Sequence, residues 1–321
     1  MRDAVARRSL LKAGLALGAS GLLLPVAACT PEPKPQQLTV AGGESGGFYL
    51  EFATLLAGLL QREGVAGSAT PVVTGGSLEN IRRVMSGEAT FAVALADTAA
   101  GPDAYVAAPP GGRLVALGKV YENYVHCLVR ADSGISTFED IAGKAVGVGE
   151  AGSGTSLTAP RIISTAALSP PPRQLNLGLN QGLAALRERS VDALFWSGGV
   201  PTAAIATTAQ GLAVKLIDLS RHIKTLRGEH GDFYDRVLIP ANTYGNAPAV
   251  WTVGVANLLL CRSDLADSLV RRTVELLVGH ARELVPKSST GVQFLSPETL
   301  INTAGVPLHP AAEAAYRSLH G

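Results

Sequence analysis

The sequence predicts an α/β fold in which strands alternate with helices along most of the chain. Short apolar runs of strand length are repeatedly followed by longer segments with helical periodicity. Several of these runs end in turns rich in glycine and serine. The chain of 321 residues is long enough, after an N-terminal export segment, to bury one large or two modest cores.

The predicted elements can be placed in order along the chain. The predicted strands are Leu38–Ala41, Ala69–Val73, Phe91–Ala96, Lys144–Val148 and Val191–Trp196. Helices are predicted after the first, second and fourth of these strands, at Phe48–Arg62, Leu78–Met85 and Ser156–Ala167. After the last run, Pro201 is well placed to begin a helix. Proline-rich joints at Pro109–Pro110 and Pro170–Pro172 interrupt the pattern. This alternation predicts a sheet with helices packed against it.

Four turns between strands and helices are the feature that points to function. They are Gly42–Gly47, Thr74–Ser77, Gly149–Thr155 and Ser197–Gly199. Each presents backbone N–H groups and hydroxyls at the start of a helix, an arrangement that attracts anions. Because ligands of open α/β sheets bind beyond the carboxyl ends of the strands, we expect the turns to face one another across a ligand cleft. The alternative is that they are only tight connections.

The beginning of the chain is typical of an export signal. A twin-arginine pattern within Arg7–Lys12 precedes the apolar run Ala13–Ala28, which is shorter than the roughly 20 residues of a spanning helix. The run ends at Cys29 in a pattern similar to a lipobox. We therefore predict that residues 1–29 are a twin-arginine signal, that Cys29 carries a lipid anchor, and that proline-rich residues 30–37 are a tether. A plain transmembrane anchor is the alternative.

Composition and motifs argue against several classes of protein. The net charge is +1 and no basic run appears, so nucleic-acid binding has no electrostatic support. Gly147–Gly152 has the spacing G-x-G-x-x-G but lacks the acidic residue about 20 positions later that dinucleotide sites need. The histidines lack metal-ligand spacing, and Ser153 lacks the flanking glycines of a nucleophile elbow. We therefore predict no metal, no cofactor and no catalytic residue, and an extracytoplasmic hydrolase is a disfavoured alternative.

Five further residues carry specific expectations. Cys127 and Cys261 lie in apolar runs, where free buried thiols are favoured over a disulfide that export would permit. His126 is expected to be a satisfied core or hinge histidine. Glu44 and Glu150, which lie in two of the turns, are expected to be solvated rim residues that select against some anions.

Five segments occur in the order that one family of receptors shows: Gly42–Tyr49, Thr74–Asn80 with Gly87–Glu88, Ile141–Lys144 with Gly152–Thr155, Phe195–Thr202, and Leu308–Pro310. From about Leu38 to its end the chain resembles the TAXI-type solute receptors, the extracytoplasmic binding subunits of tripartite ATP-independent (TRAP) transporters. It departs from the family pattern at Glu44, where threonine is common, and at Leu50–Glu51, where proline often follows the tyrosine pair. No single arginine stands out as a carboxylate clamp.

The resemblance implies a type II periplasmic-binding-protein-like fold, with two α/β lobes joined by crossing hinge strands. Residues 38–125 and 250–321 would form lobe one, and residues 126–249 lobe two. Ligands of the family include glutamate and 2-oxoglutarate. The resemblance therefore implies a periplasmic receptor that binds a small carboxylate or amino acid between the lobes and delivers it to TRAP membrane subunits. A lipoprotein that presents its ligand state to a sensor kinase is the alternative.

The residues expected to bind the ligand come from the four turns and their surroundings. For Asp97, which ends a strand, a helix cap is an equal alternative. The expected ligand-binding residues are Ser45, Gly46, Gly47, Tyr49, Gly76, Ser77, Asp97, Tyr121, Ser153, Gly154, Thr155 and Trp196.

Overall fold

The structure is a computed structural model that describes residues 35–102, 112–287, 289–291 and 293–320. The predicted twin-arginine signal, the lipid anchor at Cys29, most of the tether and the joint at Pro109–Pro110 lie outside the described residues. Within the described ranges, no helix is both long enough and apolar enough to cross a membrane.

The strands of the described residues form one mixed sheet. They are β1 (Gln37–Ala41), β2 (Ser68–Val72), β3 (Phe91–Leu95), β4 (Leu114–Arg130), β5 (Ala145–Gly147), β6 (Arg173–Leu175), β7 (Ala193–Gly198), β8 (Val214–Leu216), β9 (Tyr234–Ile239) and β10 (Val250–Arg262). Their order is β2-β1-β3-β10-β4-β7-β5-β6, with β8 paired to β4 and β9 to β10. One parallel group, β2-β1-β3, is called the first group below, and the other, β7-β5-β6, the second group. The predicted α/β class is therefore confirmed.

The helices are α1 (Phe48–Arg62), α2 (Ser77–Ser86), α3 (Ala96–Ala99), α4 (Gly154–Thr165), α5 (Leu179–Arg187), α6 (Ala203–Ala209), α7 (Ile223–His230), α8 (Asp267–Gly279), α9 (Pro297–Leu300) and α10 (Pro310–His320). The helix predicted from Phe48 to Arg62 is confirmed, and the other predicted elements differ by one or two residues at their ends. The predicted helix start at Pro201 is wrong. Thr202 keeps an extended backbone and donates its N–H to the hydroxyl of Tyr244 (2.8 Å), so α6 begins at Ala203.

Each parallel group has a core on both of its faces. In the first group, α1 buries Phe52 against one face and α2 buries Ile81 against the other. In the second group, α4 buries Ile162 against one face and α5 buries Leu183 against the other. Each fully buried side chain of this size stabilises the fold by about 1.5–3 kcal/mol. Burial on both faces also explains why β3 is a continuous apolar run rather than an alternating one.

Two long strands connect the two groups. β4 pairs with β10 from Leu114 to Tyr124 and with β7 from Tyr124 to Val129. β10 runs antiparallel to β3 as well as to β4. The two α/β parts are thus joined by strands that cross from one to the other. The exact lobe boundaries, 38–125 with 250–321 and 126–249, stay a prediction.

The two described cysteines are free and buried. Cys127 lies opposite Phe195 of β7, whereas Cys261 lies opposite Val115 near the other end of β4. They therefore occupy different parts of the sheet. Burial raises the pKa of the Cys127 thiol to about 12, so both cysteines behave as small hydrophobic side chains.

Candidate ligand-binding site

The four glycine- and serine-rich turns meet at one cavity. They follow the carboxyl ends of β1, β2, β5 and β7, and this brings them to the same edge of the structure. The space between them measures about 370 Å³, its open mouth included. The lining residues are Gly43, Glu44, Gly47, Phe48, Tyr49, Gly75, Gly76, Ser77, Leu95, Ser153, Gly154, Thr155, Trp196, Ser197 and Gly198.

The first and second turns are held together by a buried polar pair. Asn80 donates from Nδ2 to the carbonyls of Gly42 and Val93. Thr74 donates its hydroxyl to the carbonyl of Gly42 (3.1 Å) or to Oδ1 of Asn80 (2.6 Å). Both side chains are buried, and these bonds satisfy backbone groups that a regular strand would have paired. The shape of this side of the cavity therefore depends on two residues of the chain's second family-like segment.

The two sides of the cavity approach closely at Gly154. A Cβ atom at this position would lie 2.5 Å from Cδ1 of Leu95 and 2.7 Å from Oγ of Ser77. Ser77 itself accepts the N–H of Leu95 (3.1 Å) and contacts the hydroxyl of Tyr49 (3.3 Å). Only glycine allows the start of α4 to come this near to the first group.

The N-terminus of α4 is capped and tied to the fourth turn. Ser153 is the cap, and its Oγ accepts the N–H of Ser156 (3.1 Å). Thr155 accepts the N–H of Ser197 through Oγ1 (3.0 Å). The first N–H groups of a helix have no acceptor within the helix and carry the positive end of its dipole. Because α1, α2 and α4 all begin at lining residues, three such ends meet at the cavity.

Aromatic side chains form one wall. Trp196 lines the cavity and donates its ring N–H to Oγ1 of Thr202 (3.1 Å), which orients the indole. Tyr49 also lines it. Tyr121 does not; its ring lies behind the wall, with its centroid 4.7 Å from that of Phe48 and 5.3 Å from that of Phe52. Tyr121 therefore supports the wall rather than forming it.

Most of the predicted ligand-binding residues lie at this cavity, although their binding role stays a prediction. Ser45 and Gly46 are exposed outside it, and the carbonyl of Ser45 accepts an N–H from the side chain of Asn180 (3.1 Å). Tyr121 and Asp97 lie away from the lining. The predicted residues that line the cavity are Gly47, Tyr49, Gly76, Ser77, Ser153, Gly154, Thr155 and Trp196.

Asp97 has a different set of contacts from those predicted. Its buried Oδ2 accepts from the hydroxyls of Thr158 (2.9 Å) and Tyr234 (3.1 Å) and from the guanidinium of Arg161 (3.2 Å). Burial raises the pKa of the carboxyl, and Arg161 and the hydroxyls oppose that shift. The helix-cap alternative is wrong because Asp97 lies inside α3 and caps no N–H of that helix. The residue joins the end of β3 to α4 and β9.

His126 is a satisfied core histidine, as expected. Its Nδ1 faces the carbonyls of Tyr124 (2.8 Å) and Trp196 (3.2 Å), and its Nε2 faces the hydroxyl of Tyr244 (2.9 Å). The two carbonyls require Nδ1 to carry the proton, so Nε2 accepts from Tyr244. Burial lowers the pKa of His126 to about 4, and the ring is neutral at pH 7.

Glu44 is less solvated than the sequence suggests. Its Oε2 accepts the N–H of Leu179, the first residue of α5 (2.7 Å), so it links the opening turn to the second group. Burial raises the pKa of Glu44, and the nearby Glu150 acts in the same direction. Both glutamates are half-buried. The expectation of freely solvated rim residues is therefore wrong for Glu44.

Sequence reasoning missed two asparagines. Asn80 lies within α2, and Asn123 lies within β4, where it is completely buried and donates to Oγ of Ser197 (3.3 Å). Asn80 ends the second family-like segment but was assigned no role, and Asn123 belongs to no motif. The signal that would have found Asn123 is a lone amide among the largely apolar and aromatic residues of β4. Within the part of the chain that the structure describes, no three His, Cys, Asp or Glu side chains are grouped to hold a metal ion.

Comparisons with known proteins agree with this architecture. A protein-family model described as the NMT1-like family matches residues 40–318. A solved protein of Bordetella bronchiseptica RB50 is 14% identical, covers 89% of this chain and 98% of its own, and has a TM-score of 0.51.

Two sulfonate-binding proteins are also similar in structure. The alkanesulfonate-binding protein SsuA of Xanthomonas axonopodis pv. citri, bound to MOPS, is 17% identical (TM-score 0.47; 89% of this chain and 85% of that one). The periplasmic aliphatic sulphonate binding protein SsuA of Escherichia coli is 16% identical (TM-score 0.45; 89% and 84%). At such identities the likeness concerns the fold alone. The predicted fold class, two α/β parts joined by crossing strands, is confirmed by the topology of the chain itself.

Proposed function

The chain belongs to the NMT1-like family, and on this premise we propose that it is an extracytoplasmic solute receptor. Its ligand is a small organic acid or amino acid held in the cavity between the four turns. The observation that carries the proposal is the meeting of three helix N-termini at one cavity. The dipoles of these helix N-termini attract a carboxylate there without any arginine or lysine among the lining residues. No catalytic role is assigned to any residue.

Hydrogen bonds between the two sides of the cavity support binding by closure. Residues in the helices and turns beside the first group bond across the cavity to residues beside the second group. Leu78 donates its N–H to the carbonyl of Gly152 (3.1 Å), and Leu179 donates its N–H to Glu44. A ligand that contacts both sides favours the state in which these sides meet. The crossing strands β4 and β10 are the elements about which such a movement would occur.

The resemblance to TAXI-type receptors extends the proposal to the membrane partner. Four of the five segments that carry it contribute residues to the cavity: Gly42–Tyr49, Thr74–Asn80, Gly152–Thr155 and Phe195–Thr202. We therefore propose that the closed receptor delivers its ligand to TRAP membrane subunits in the periplasm. Lipid attachment at Cys29 would keep the receptor close to a membrane.

Isothermal titration of the purified protein with glutamate and 2-oxoglutarate, with native mass spectrometry for any co-purified compound, tests the receptor function. The informative variant is Gly154→Ala, because its methyl group would collide with Leu95 and Ser77 and hold the two sides apart. Gly58→Ala is the matched control, since Gly58 is exposed on α1 and a Cβ there meets nothing within 4 Å.

We expect Gly154→Ala to lose at least ten-fold in affinity for the bound compound while Gly58→Ala keeps the wild-type value. Equal affinities of the two variants would contradict binding by closure at this cavity. A purified protein that carries no small molecule and binds neither probe would contradict the receptor function itself.

A further inference from the structure

We propose that the ligand of this cavity carries a positively charged nitrogen, which Glu44 and Glu150 recognise at the cavity mouth. This ligand class presupposes the receptor function proposed above and narrows it. The ligand is a zwitterion, with its anionic group at the helix N-termini and its cationic group between the two carboxylates. Acids without a cationic group, such as 2-oxoglutarate, are disfavoured.

The two carboxylates approach the same point beside Gly178, at the start of α5. Glu44 belongs to the turn after β1, and Glu150 to the turn after β5. A Cβ atom placed on Gly178 would lie 2.6 Å from Oε2 of Glu44 and 3.1 Å from Oε2 of Glu150. A Cβ atom on Gly75 would lie 3.6 Å from Cγ of Glu150, which places Glu150 against the second turn as well. Two ionised carboxylates this close repel each other, and a cation near both, or a proton on one of them, relieves the repulsion.

The described residues supply no such cation. No ion pair of the described residues includes Glu44 or Glu150. Arg82 lies on the same rim, 3.4 Å from where a Cβ of Gly152 would be, but it is exposed and pairs with neither carboxylate. Oε2 of Glu44 is satisfied by Leu179, whereas its Oε1 is buried without a hydrogen-bond partner in the described structure.

A second, independent observation comes from behind the lining residue Ser197. Asn123 is 0% exposed and donates from Nδ2 to Oγ of Ser197, which lines the cavity. Its Oδ1 has no partner among the described residues. A buried acceptor of this kind is stable only when a donor reaches it. Oxygen acceptors without a partner among the described residues therefore lie both at the mouth and behind Ser197, and a ligand with N–H groups satisfies them better than one with carboxylates alone.

Recognition of a cation also explains how the ligand would favour closure. Glu44 and Glu150 come from different parallel groups, so their repulsion opposes the approach of the two sides. A cationic nitrogen between them replaces that repulsion with two attractions. Ligand charge and closure are thereby coupled, since the cation interacts fully only when both carboxylates are near.

The test compares amino acids with the 2-oxo acids of the same carbon skeleton, which lack only the ammonium group. The pairs are L-leucine with 4-methyl-2-oxopentanoate and L-glutamate with 2-oxoglutarate, measured by isothermal titration with the full protein. We expect the amino acid of at least one pair to bind ten-fold or more tightly than its partner. In Glu150→Gln that preference should fall at least three-fold, as it should in Glu44→Gln.

Glu188→Gln is the matched control, because it removes the same charge from an exposed position at the end of α5. Glu150→Gln is the decisive variant, since Glu44→Gln also weakens the bond to Leu179. Oxo acids that bind as tightly as the amino acids, or a Glu150→Gln protein with the wild-type preference, would overturn the inference and leave the receptor function standing. Failure of every probe to bind would overturn both.

Discussion

The contacts of Asp97 allow a quantitative prediction about the link between the two parallel groups. Asp97→Asn replaces a buried carboxylate that Thr158, Arg161 and Tyr234 all approach through one oxygen. The side chain of Asp97 is completely buried, and that of Arg161 is 20% exposed. The substitution keeps the shape and one acceptor oxygen but removes the charge.

The expected cost follows from these contacts. Removing one partner of a buried ion pair costs about 3–5 kcal/mol, because the other charge is left uncompensated. Two features reduce this figure here. Arg161 is near enough to the surface to turn towards water, and burial already raises the pKa of Asp97, so desolvation offsets part of the attraction. We therefore expect a loss of about 2–3 kcal/mol in the free energy of unfolding.

Urea denaturation at pH 7, followed by circular dichroism, measures this loss as a shift of the midpoint at constant m-value. A double-mutant cycle with Arg161→Met isolates the pair and should give a coupling of about 1–2 kcal/mol. Glu313→Gln is the control: Glu313 pairs with Arg317 at the surface, with side chains 51% and 77% exposed, and its loss should leave the midpoint unchanged. Additive effects of Asp97→Asn and Arg161→Met, or wild-type stability of Asp97→Asn, would refute the assigned role.

Three further predictions concern buried titratable groups. Because burial lowers the pKa of His126 from 6.5 to about 4, its stabilisation is complete above pH 6.5 and is lost as the pH falls. The stability difference between wild type and His126→Gln should therefore shrink by up to about 3 kcal/mol between pH 7.5 and pH 4, and a constant difference in urea denaturation would contradict this. Burial, and then Asp235, raise the pKa of Glu122 to about 8, so its stabilisation is complete below pH 4.5 and is lost as the pH rises. Relative to wild type, Glu122→Gln should gain about 3–5 kcal/mol between pH 4.5 and pH 9, whereas equal denaturation profiles would argue against a buried, protonated carboxyl. Alkylation followed by peptide mass spectrometry should modify Cys127 and Cys261 only after unfolding, and rapid labelling of the native protein would show that they are accessible.

Much of the architecture was predictable because its signals are local. The apolar positions of Phe48–Arg62 repeat with helical spacing, and the residues that precede and follow them set the ends of the helix. The turns were predictable because glycine permits backbone conformations that other residues avoid, as at Gly76, where φ is 116°. Their meeting at one cavity followed from a general rule about the carboxyl ends of strands in α/β sheets.

The site was predictable only in part, for a related reason. Residues that contribute through the backbone, such as Gly47 and Gly154, belong to recognisable turns. Residues that contribute through distant partners do not: Asp97 lies 137 positions from Tyr234 in the sequence, and Glu44 lies 135 positions from Leu179. Periodicity and turn chemistry describe neighbours within a few residues of each other, so they cannot assign such partners.

The sequence by itself thus determined the α/β class, the order of strands and helices, and the four glycine- and serine-rich turns, because each depends on local backbone preference and on the spacing of apolar residues. Only the tertiary structure decided which strands pair with β4 and β10, and that Glu44 and Glu150 lie near one another. It also decided that Asp97 serves the link between the groups rather than the cavity wall. These features depend on which distant strands pair and on what each buried polar atom then meets, and both are properties of the packed chain as a whole.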